Sequence, residues 1–333
     1  MDAITILGAG SWGTALGIHL ARIGHDVRLW ARDPELVQDM LATRANARYL
    51  GSAALPDRVT PHARSHAALD GANVVVFAVP SHGLRAVARA VAPAIPPHAV
   101  LVSATKGIET DSLYRMSSVL EEEVGGGRPV VALSGPSFAS EVARGLPTAV
   151  LSASRDADAA RYVQDRFRGP AFRLYVSDDV AGVEIGGAMK NVIAIAAGVV
   201  EGIGLGHNSM AALITRGLAE ISRLADAEGG RRETLAGLSG LGDLVLTSTG
   251  DLSRNRHVGL ELGRGKSLQE ILSGMRMIAE GVRTTGAALA LGSRHGIELP
   301  ITAEMAAVLD RRRSPAEAVD ILMGRKQRAE ADR

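Results

Sequence analysis

Apolar and polar positions follow two rhythms along this chain, one in each half. In the first half, short apolar runs alternate with longer amphipathic stretches. Ala3-Ile4-Thr5-Ile6-Leu7, Asp26-Val27-Arg28-Leu29-Trp30, Asn73 to Val79, Val100 to Ala104, Val130 to Leu133 and Thr148 to Ser152 read as strands, most of them apolar almost throughout. Thr14 to Ile23, a stretch opening near Pro34, Gly83 to Val91 and Ser112 to Glu123 read as helices between them. Strands without a polar face, alternating with helices, predict a parallel sheet covered on both sides.

From about Asp178 the strand pattern stops. Met210, Leu213, Ile214, Leu218, Ile221 and Leu224 recur at helical spacing. Ser314-Pro315-Ala316-Glu317 supplies an N-cap, a proline at the first helical position and a capping-box glutamate. The change predicts an α/β domain over 1–178 and an all-α domain over 179–333, the second entered through a long helix containing Met189-Lys190-Asn191. A length of 333 residues agrees with two domains, at roughly 150 residues each.

Composition narrows the classes. Aromatics are only 3% of residues, so the cores must be built from Ala, Val, Leu and Ile. The 37 basic residues nearly cancel the 36 acidic ones, which leaves no overall field toward nucleic acid but room for a local anion site. The absence of cysteine excludes disulfides, thiolate metal sites and a cysteine nucleophile. His62 and His66 are four apart but lie in a proline-containing segment, and no metal site is expected from the histidines. The start lacks a basic n-region, and the apolar run Val192 to Val200 is far short of the ~20 residues that cross a bilayer. No signal peptide or integral membrane association is expected, and the reading is cytoplasmic. The cluster Asp310-Arg311-Arg312-Arg313 and the tail from Gly324 read as solvated surface.

Gly8-Ala9-Gly10-Ser11-Trp12-Gly13 carries the first chemistry. The spacing G-x-G-x-x-G sits between a strand ending at Leu7 and a helix, with a second strand at Asp26 to Trp30. That context makes it the first βαβ unit of a Rossmann-like dinucleotide-binding domain. Gly8 would permit the turn, Gly10 would admit the pyrophosphate, and Gly13 would let helix and strand pack closely. After the second strand, Asp33 stands where an acidic side chain accepts from the ribose 2′-hydroxyl of NAD, or it caps the helix that follows. Arg32 offers a planar cationic fork for the 2′-phosphate of NADP. The expectation is that NADP(H) is accepted, with NAD(H) an alternative.

Lys190 has Gly186, Gly187, Ile193 and Ala194 at helical spacings of three and four, and no carboxylate on that face. It reads either as a snorkelling surface residue or as a desolvated amine of lowered pKa, suited to take a proton from an alcohol. Asp243, in Leu241-Gly242-Asp243-Leu244, would cap a turn or orient such a lysine. Ser253-Arg254-Asn255 at a helix start would make an anion pocket, or only an ordinary capped helix. Lys106, and Gly135 with Ser137, follow strands at their carboxyl ends, where ligands bind in open α/β sheets.

Together, Gly8-Ala9-Gly10-Ser11-Trp12-Gly13-Thr14-Ala15, Ala104-Thr105-Lys106-Gly107-Ile108-Glu109, Ser134-Gly135-Pro136-Ser137-Phe138-Ala139, Lys190-Asn191-Val192, Ala211 to Gly217, Gly242-Asp243-Leu244 and Leu252-Ser253-Arg254-Asn255 resemble bacterial NAD(P)-dependent glycerol-3-phosphate dehydrogenases, over essentially the whole chain. The resemblance implies reversible hydride transfer between glycerol 3-phosphate and dihydroxyacetone phosphate for phospholipid synthesis, in a homodimer. It implies that Ser11, Trp12, Arg32, Tyr49, Lys106, Ala139, Arg254, Ile278 and Glu280 line the cofactor site. It places Lys106, Gly135, Ser137, Asp243, Ser253, Arg254 and Asn255 around the substrate, with Lys190 as proton acceptor. The chain departs from the family's pattern at His207, where an aspartate is usual, and at Met210, where a lysine is usual. A β-hydroxyacid or 6-phosphogluconate-type dehydrogenase, and a non-catalytic NADP-binding sensor, share the domain plan and stand as alternatives.

Overall fold

The computed structural model describes residues 2–125, 127–275, 279–327 and 329. Eight strands form one sheet: β1 (Ala3–Leu7), β2 (Asp26–Trp30), β3 (Val59–His62), β4 (Val74–Phe77), β5 (Val100–Ser103), β6 (Val130–Ser134), β7 (Thr148–Ala153) and β8 (Phe172–Ser177), in the order β3-β2-β1-β4-β5-β6-β7-β8. Their alternation decides the layers. Ile4, Ile6, Val74, Val76 and Val102 join one buried cluster, while Leu7, Val75, Phe77 and Leu101 join another on the opposite face. Helix Ser11–Arg22 packs Leu16 and Leu20 into the first cluster. Helices Ser81–Val91 and Met116–Val124 bring Leu84, Val119 and Leu120 to the second. A sheet covered on both sides is therefore present.

It is not wholly parallel. β3 to β6 pair in parallel, but β7 runs antiparallel to β6, with Leu133 opposite Ser152, and β8 follows β7 in parallel. The connection 135–147 carries only the six-residue helix Ala139–Arg144 and brings the chain back beside β6 instead of crossing the sheet. Two strands escaped the pattern reading because both are edges. β3 contains Pro61, which an edge strand tolerates, and β8 alternates buried and exposed residues without a continuous apolar run.

Contacts divide the chain into two units. Met1–Lys106 with Met116–Val180 form one, and Gly107–Arg115 with Ala181–Arg333 form the other. Segment Gly107–Arg115 joins the second unit by burying Ile108 in its core and pairing Arg115 with Glu184 at 2.8 Å. The second unit is built around helix Val180–Gly202. This helix is apolar on every side, and Ile185, Met189, Val192, Ile193, Ala196 and Val199 lie in one cluster with residues from the surrounding helices. Among the described residues it is the one helix long and apolar enough to cross a membrane, and its apolar window is wholly buried in the protein.

Helix His207–Ala227 holds another core helix by its end. Buried Glu220 accepts from the Ile301 and Thr302 N–H groups at 2.5 and 3.2 Å, at the start of Pro300–Leu309. Burial pushes its carboxyl pKa up, against the pull of those bonds. At Pro315–Met323 the expected capping box is present, with the Glu317 N–H donating to Ser314 Oγ at 3.2 Å and the Ser314 N–H to Glu317 Oε2 at 2.7 Å.

Helix Arg254–Gly263 lies against Val180–Gly202 with almost no side chain between them. A Cβ on Gly198 would overlap the Arg256 carbonyl, and one on Gly259 would overlap the Ile195 carbonyl. The contacts advance together along both helices, so the two run parallel. We expect Gly259→Ala to destabilise the protein by about 1–3 kcal/mol despite alanine's better helix propensity, because main chain cannot yield to the new methyl. Gly286, in helix Glu280–Arg294, faces open space. Gly286→Ala should do the opposite and stabilise by about 0.5–1 kcal/mol. Thermal unfolding of the two variants beside the parent measures both signs.

Candidate active site

In the first unit the glycine motif forms the turn from β1 into helix Ser11–Arg22. Gly8 holds φ +121°, and a Cβ there would press on the Ala78 carbonyl. A Cβ on Gly13 would overlap the Gly8 carbonyl, so its absence lets the helix seat on the turn. Gly10 differs: a Cβ there would meet no protein atom within 4 Å. Among the described residues no side-chain hydrogen bond caps the helix start. An open approach beside an uncapped helix N-terminus fits a pyrophosphate.

Around this turn the structure gathers Ser11, whose Oγ donates to the Tyr49 carbonyl at 2.7 Å, with Trp12 and Tyr49 half-buried on the core. Arg32 ends the second βα connection, exposed and with no hydrogen bond or ion pair among the described residues. Asp33 is already engaged. Its Oδ1 caps helix Pro34–Thr43 through the Glu35 N–H at 3.0 Å, and its Oδ2 pairs with Arg48 at 2.5 Å. The Arg48 hydrogen bond holds its carboxyl pKa below the usual range.

At the carboxyl ends of β5 and β6, Lys106 Nζ and Ser137 Oγ both donate to the Gly135 carbonyl, at 3.0 and 2.9 Å. Ala139 opens the short helix that follows. The sequence placed Lys106, Gly135 and Ser137 at strand ends, and the fold brings these three together.

In the second unit Lys190 and Asp243, 53 positions apart, meet. Lys190 is 8% exposed and Asp243 fully buried. The Lys190 ammonium donates to Asp243 Oδ1 and, at 2.9 Å, to Thr247 Oγ1. Thr247 donates in turn to the Asp243 carbonyl at 2.6 Å. The carboxylate that Lys190 lacks on its own helix face is thus supplied by Asp243, from a second element. That element is helix Asp243–Thr249, which follows directly on a turn of π-helix, Leu238–Gly242, closed by the Gly242 N–H on the Gly237 carbonyl at 3.0 Å. Gly186, one turn before Lys190, lets this turn approach: a Cβ there would lie 2.7 Å from the Ser239 carbonyl oxygen.

The neighbouring asparagines form a second knot. Asn255 Nδ2 donates to Asn191 Oδ1 at 2.9 Å, and Asn255 Oδ1 accepts from the Gly281 N–H at 2.9 Å. Three helices are pinned there. Ser253 caps helix Arg254–Gly263 through the Arg256 N–H at 3.2 Å. Arg256 is tied to Glu201 at 2.7 Å and Asp251 at 3.1 Å, whereas Arg254 has no hydrogen bond or ion pair among the described residues. Crowding by protein holds the Arg254 pKa below its usual value, and the Glu280 carboxylate pulls the other way. This leaves a partly desolvated guanidinium at a helix start, open to solvent, chemistry that suits an anion. Ile278 lies outside the described residues. Exposed His207 opens helix His207–Ala227, and Met210 lies on its first turn. Among the described residues no three histidine, aspartate or glutamate side chains converge as metal ligands.

Thr247 and Asn191 were not singled out from the sequence. Thr247 follows Asp243 by four positions, one helical turn, and that spacing was the available clue. Asn191 adjoins Lys190, but its partner could not be read from the chain.

Comparison with known proteins agrees with this geometry. The family model for the NAD-dependent glycerol-3-phosphate dehydrogenase N-terminus matches residues 3–160, and that for its C-terminus matches residues 179–320. A protein of Koribacter versatilis named glycerol-3-phosphate dehydrogenase, NAD(P)+, is 53% identical over 337 residues, covering 99% of each chain. One of the same name from Moorella thermoacetica is 49% identical, covering 99% of this chain and 98% of its own. The crystal structure of glycerol-3-phosphate dehydrogenase from Coxiella burnetii is similar at a TM-score of 0.94 and 41% identity, covering 97% of this chain and 99% of that one. With a glycine turn in one unit, a paired amine in the other and both halves of one family matched in order, the chain belongs to the NAD-dependent glycerol-3-phosphate dehydrogenases.

Proposed function

We infer that the chain is an NAD(P)-dependent oxidoreductase that reduces dihydroxyacetone phosphate to sn-glycerol 3-phosphate, reversibly. The observation that carries this reading is the buried Lys190 amine, held by Asp243 and Thr247 beside the cationic helix start at Arg254. Residues 1–178 hold the dinucleotide in this reading, through Gly8, Gly10, Ser11, Trp12, Gly13, Arg32 and Tyr49, with Lys106 and Ala139 at neighbouring strand ends. Residues 179–333 supply the substrate machinery. Family membership supports the assignment over a β-hydroxyacid dehydrogenase or a non-catalytic sensor. It also supports a homodimer working in the cytoplasm and feeding glycerophospholipid synthesis.

When bound, the reduced nicotinamide supplies the hydride that the substrate's carbonyl carbon takes up. Lys190 does the proton chemistry at the adjacent oxygen. A carboxylate and a hydroxyl on the amine favour its ammonium form, so it enters the reducing direction ready to donate. Its positive charge opposes the negative charge that develops on the oxygen as the carbonyl is reduced. In the oxidising direction the neutral amine accepts the hydroxyl proton. Asp243 and Thr247 fix the nitrogen so that little motion is needed at transfer. Arg254 and the N–H groups opening its helix hold the phosphate, and Ser253 shapes that start by capping it. Asn255 keeps one amide hydrogen beyond the bond to Asn191 and can donate it to the ligand. Within the first unit, Lys106, Gly135 and Ser137 are the candidate substrate contacts in this reading.

The direct test is NADPH oxidation in the presence of dihydroxyacetone phosphate, run beside NADH and a panel of carboxylated keto acids. Turnover confined to the phosphate ester supports the reading; turnover only with the acids overturns it. Lys190→Ala should lower kcat about 10²–10⁴-fold while the Kd for NADPH stays within twofold of the parent, a control for folding. Arg254→Ala should raise the KM for dihydroxyacetone phosphate roughly 10–100-fold, the loss of a charge-assisted phosphate contact; steady-state kinetics decide it.

A further inference from the structure

The segment after Ala45 is fastened to the glycine turn. Asn46, fully buried, donates through Nδ2 to the Ala9 carbonyl at 2.9 Å and to Thr14 Oγ1 at 2.8 Å. Three residues on, the Tyr49 carbonyl accepts from Ser11 Oγ. The short helix Ala47–Leu50 is thereby held against the turn from two sides, and Arg48 projects from it to Asp33 at the end of β2. In this fold the adenosine ribose sits between the glycine turn and the end of the second strand. Arg48 is tied to both landmarks.

An acidic side chain at that strand end is the usual acceptor for the 2′-hydroxyl of NAD. Here both oxygens of Asp33 are committed, one to the helix cap and the other to Arg48. The Arg48 side chain remains 39% exposed. A guanidinium carries five donors in a fixed fork, so one edge can hold Asp33 while others face outward. Arg32 adds a second exposed fork next to Asp33 in the chain. A ribose arriving here meets donors on two arginines and a carboxylate that already accepts three hydrogen bonds.

We propose that Arg48, fixed by Asp33 and acting with Arg32, is a specificity-determining contact for the 2′-phosphate of the dinucleotide, and that it turns this chain toward NADP(H). Asp33 then serves as helix cap and as holder of Arg48, not as the ribose acceptor. The inference rests on the dinucleotide reading of the glycine turn.

The experiment measures equilibrium binding to the full chain by quenching of Trp12 and Trp30 fluorescence, with NADPH, NADH, 2′,5′-ADP and 5′-AMP as probes. Parent, Arg48→Gln and Arg48→Lys chains are compared at low and moderate salt. Arg48→Gln should raise the Kd for NADPH and 2′,5′-ADP roughly tenfold or more, and leave NADH and 5′-AMP within about twofold. Arg48→Lys, which keeps the charge but not the fork, should recover part of the loss. The salt dependence of NADPH binding should flatten in Arg48→Gln. An equal loss for NADPH and NADH would make Arg48 a structural clasp only and overturn the proposal, as would no loss for either. A parent chain that binds none of the probes overturns the dinucleotide reading itself.

Discussion

An ammonium and a carboxylate withdrawn from water must stay together. Either alone in the interior would be driven to its neutral form, and removing one partner of such a pair costs about 3–5 kcal/mol. Lys190 and Asp243 set this condition for the second unit. Helix Val180–Gly202 can be apolar all round only because its one lysine is answered from outside the helix. The π-helical turn Leu238–Gly242 exists at the place where that answer is delivered, and Gly186 clears its path. Thr247 closes the arrangement by accepting from the amine and donating to the main chain of Asp243. The constraint that keeps the core intact also fixes where the amine nitrogen stands.

The first unit solves a different problem with main chain. Its candidate ligand residues stand at the carboxyl ends of parallel strands: the glycine turn after β1, Arg32 after β2, Lys106 after β5 and Gly135 after β6. The reversal of β7 and β8 does not disturb this edge, because it begins only after Gly135 has been placed. That reversal shifts the sheet from fully parallel to mixed at the side away from the glycine turn.

Much of this was legible from the chain because the relevant forces are local. Alternation placed six strands, and the glycine spacing placed the turn. Ser314 to Glu317 announced a capping box that formed as written. What was hidden depends on contacts distant in sequence. The helix face of Lys190 carries no carboxylate, and the sequence offered Asp243, 53 positions away, as its partner only in one of two readings. Asn255 looked like a ligand group alone, yet both ends of its amide also hold helices together. β3 and β8 were missed because edge strands need neither a proline-free run nor an apolar one. Asp33 carried two readings in the sequence; its cap was one of them, and its arginine appears only in three dimensions.

The glycine contact between the two parallel helices has one further consequence. Lys190 and Asn191 stand on one of those helices, Arg254 and Asn255 on the other, and the spacing between them is set by main chain pressed on main chain. Backbone contact alone thus fixes how far Lys190 on one helix stands from Arg254 on the other, a ruler cut in main chain.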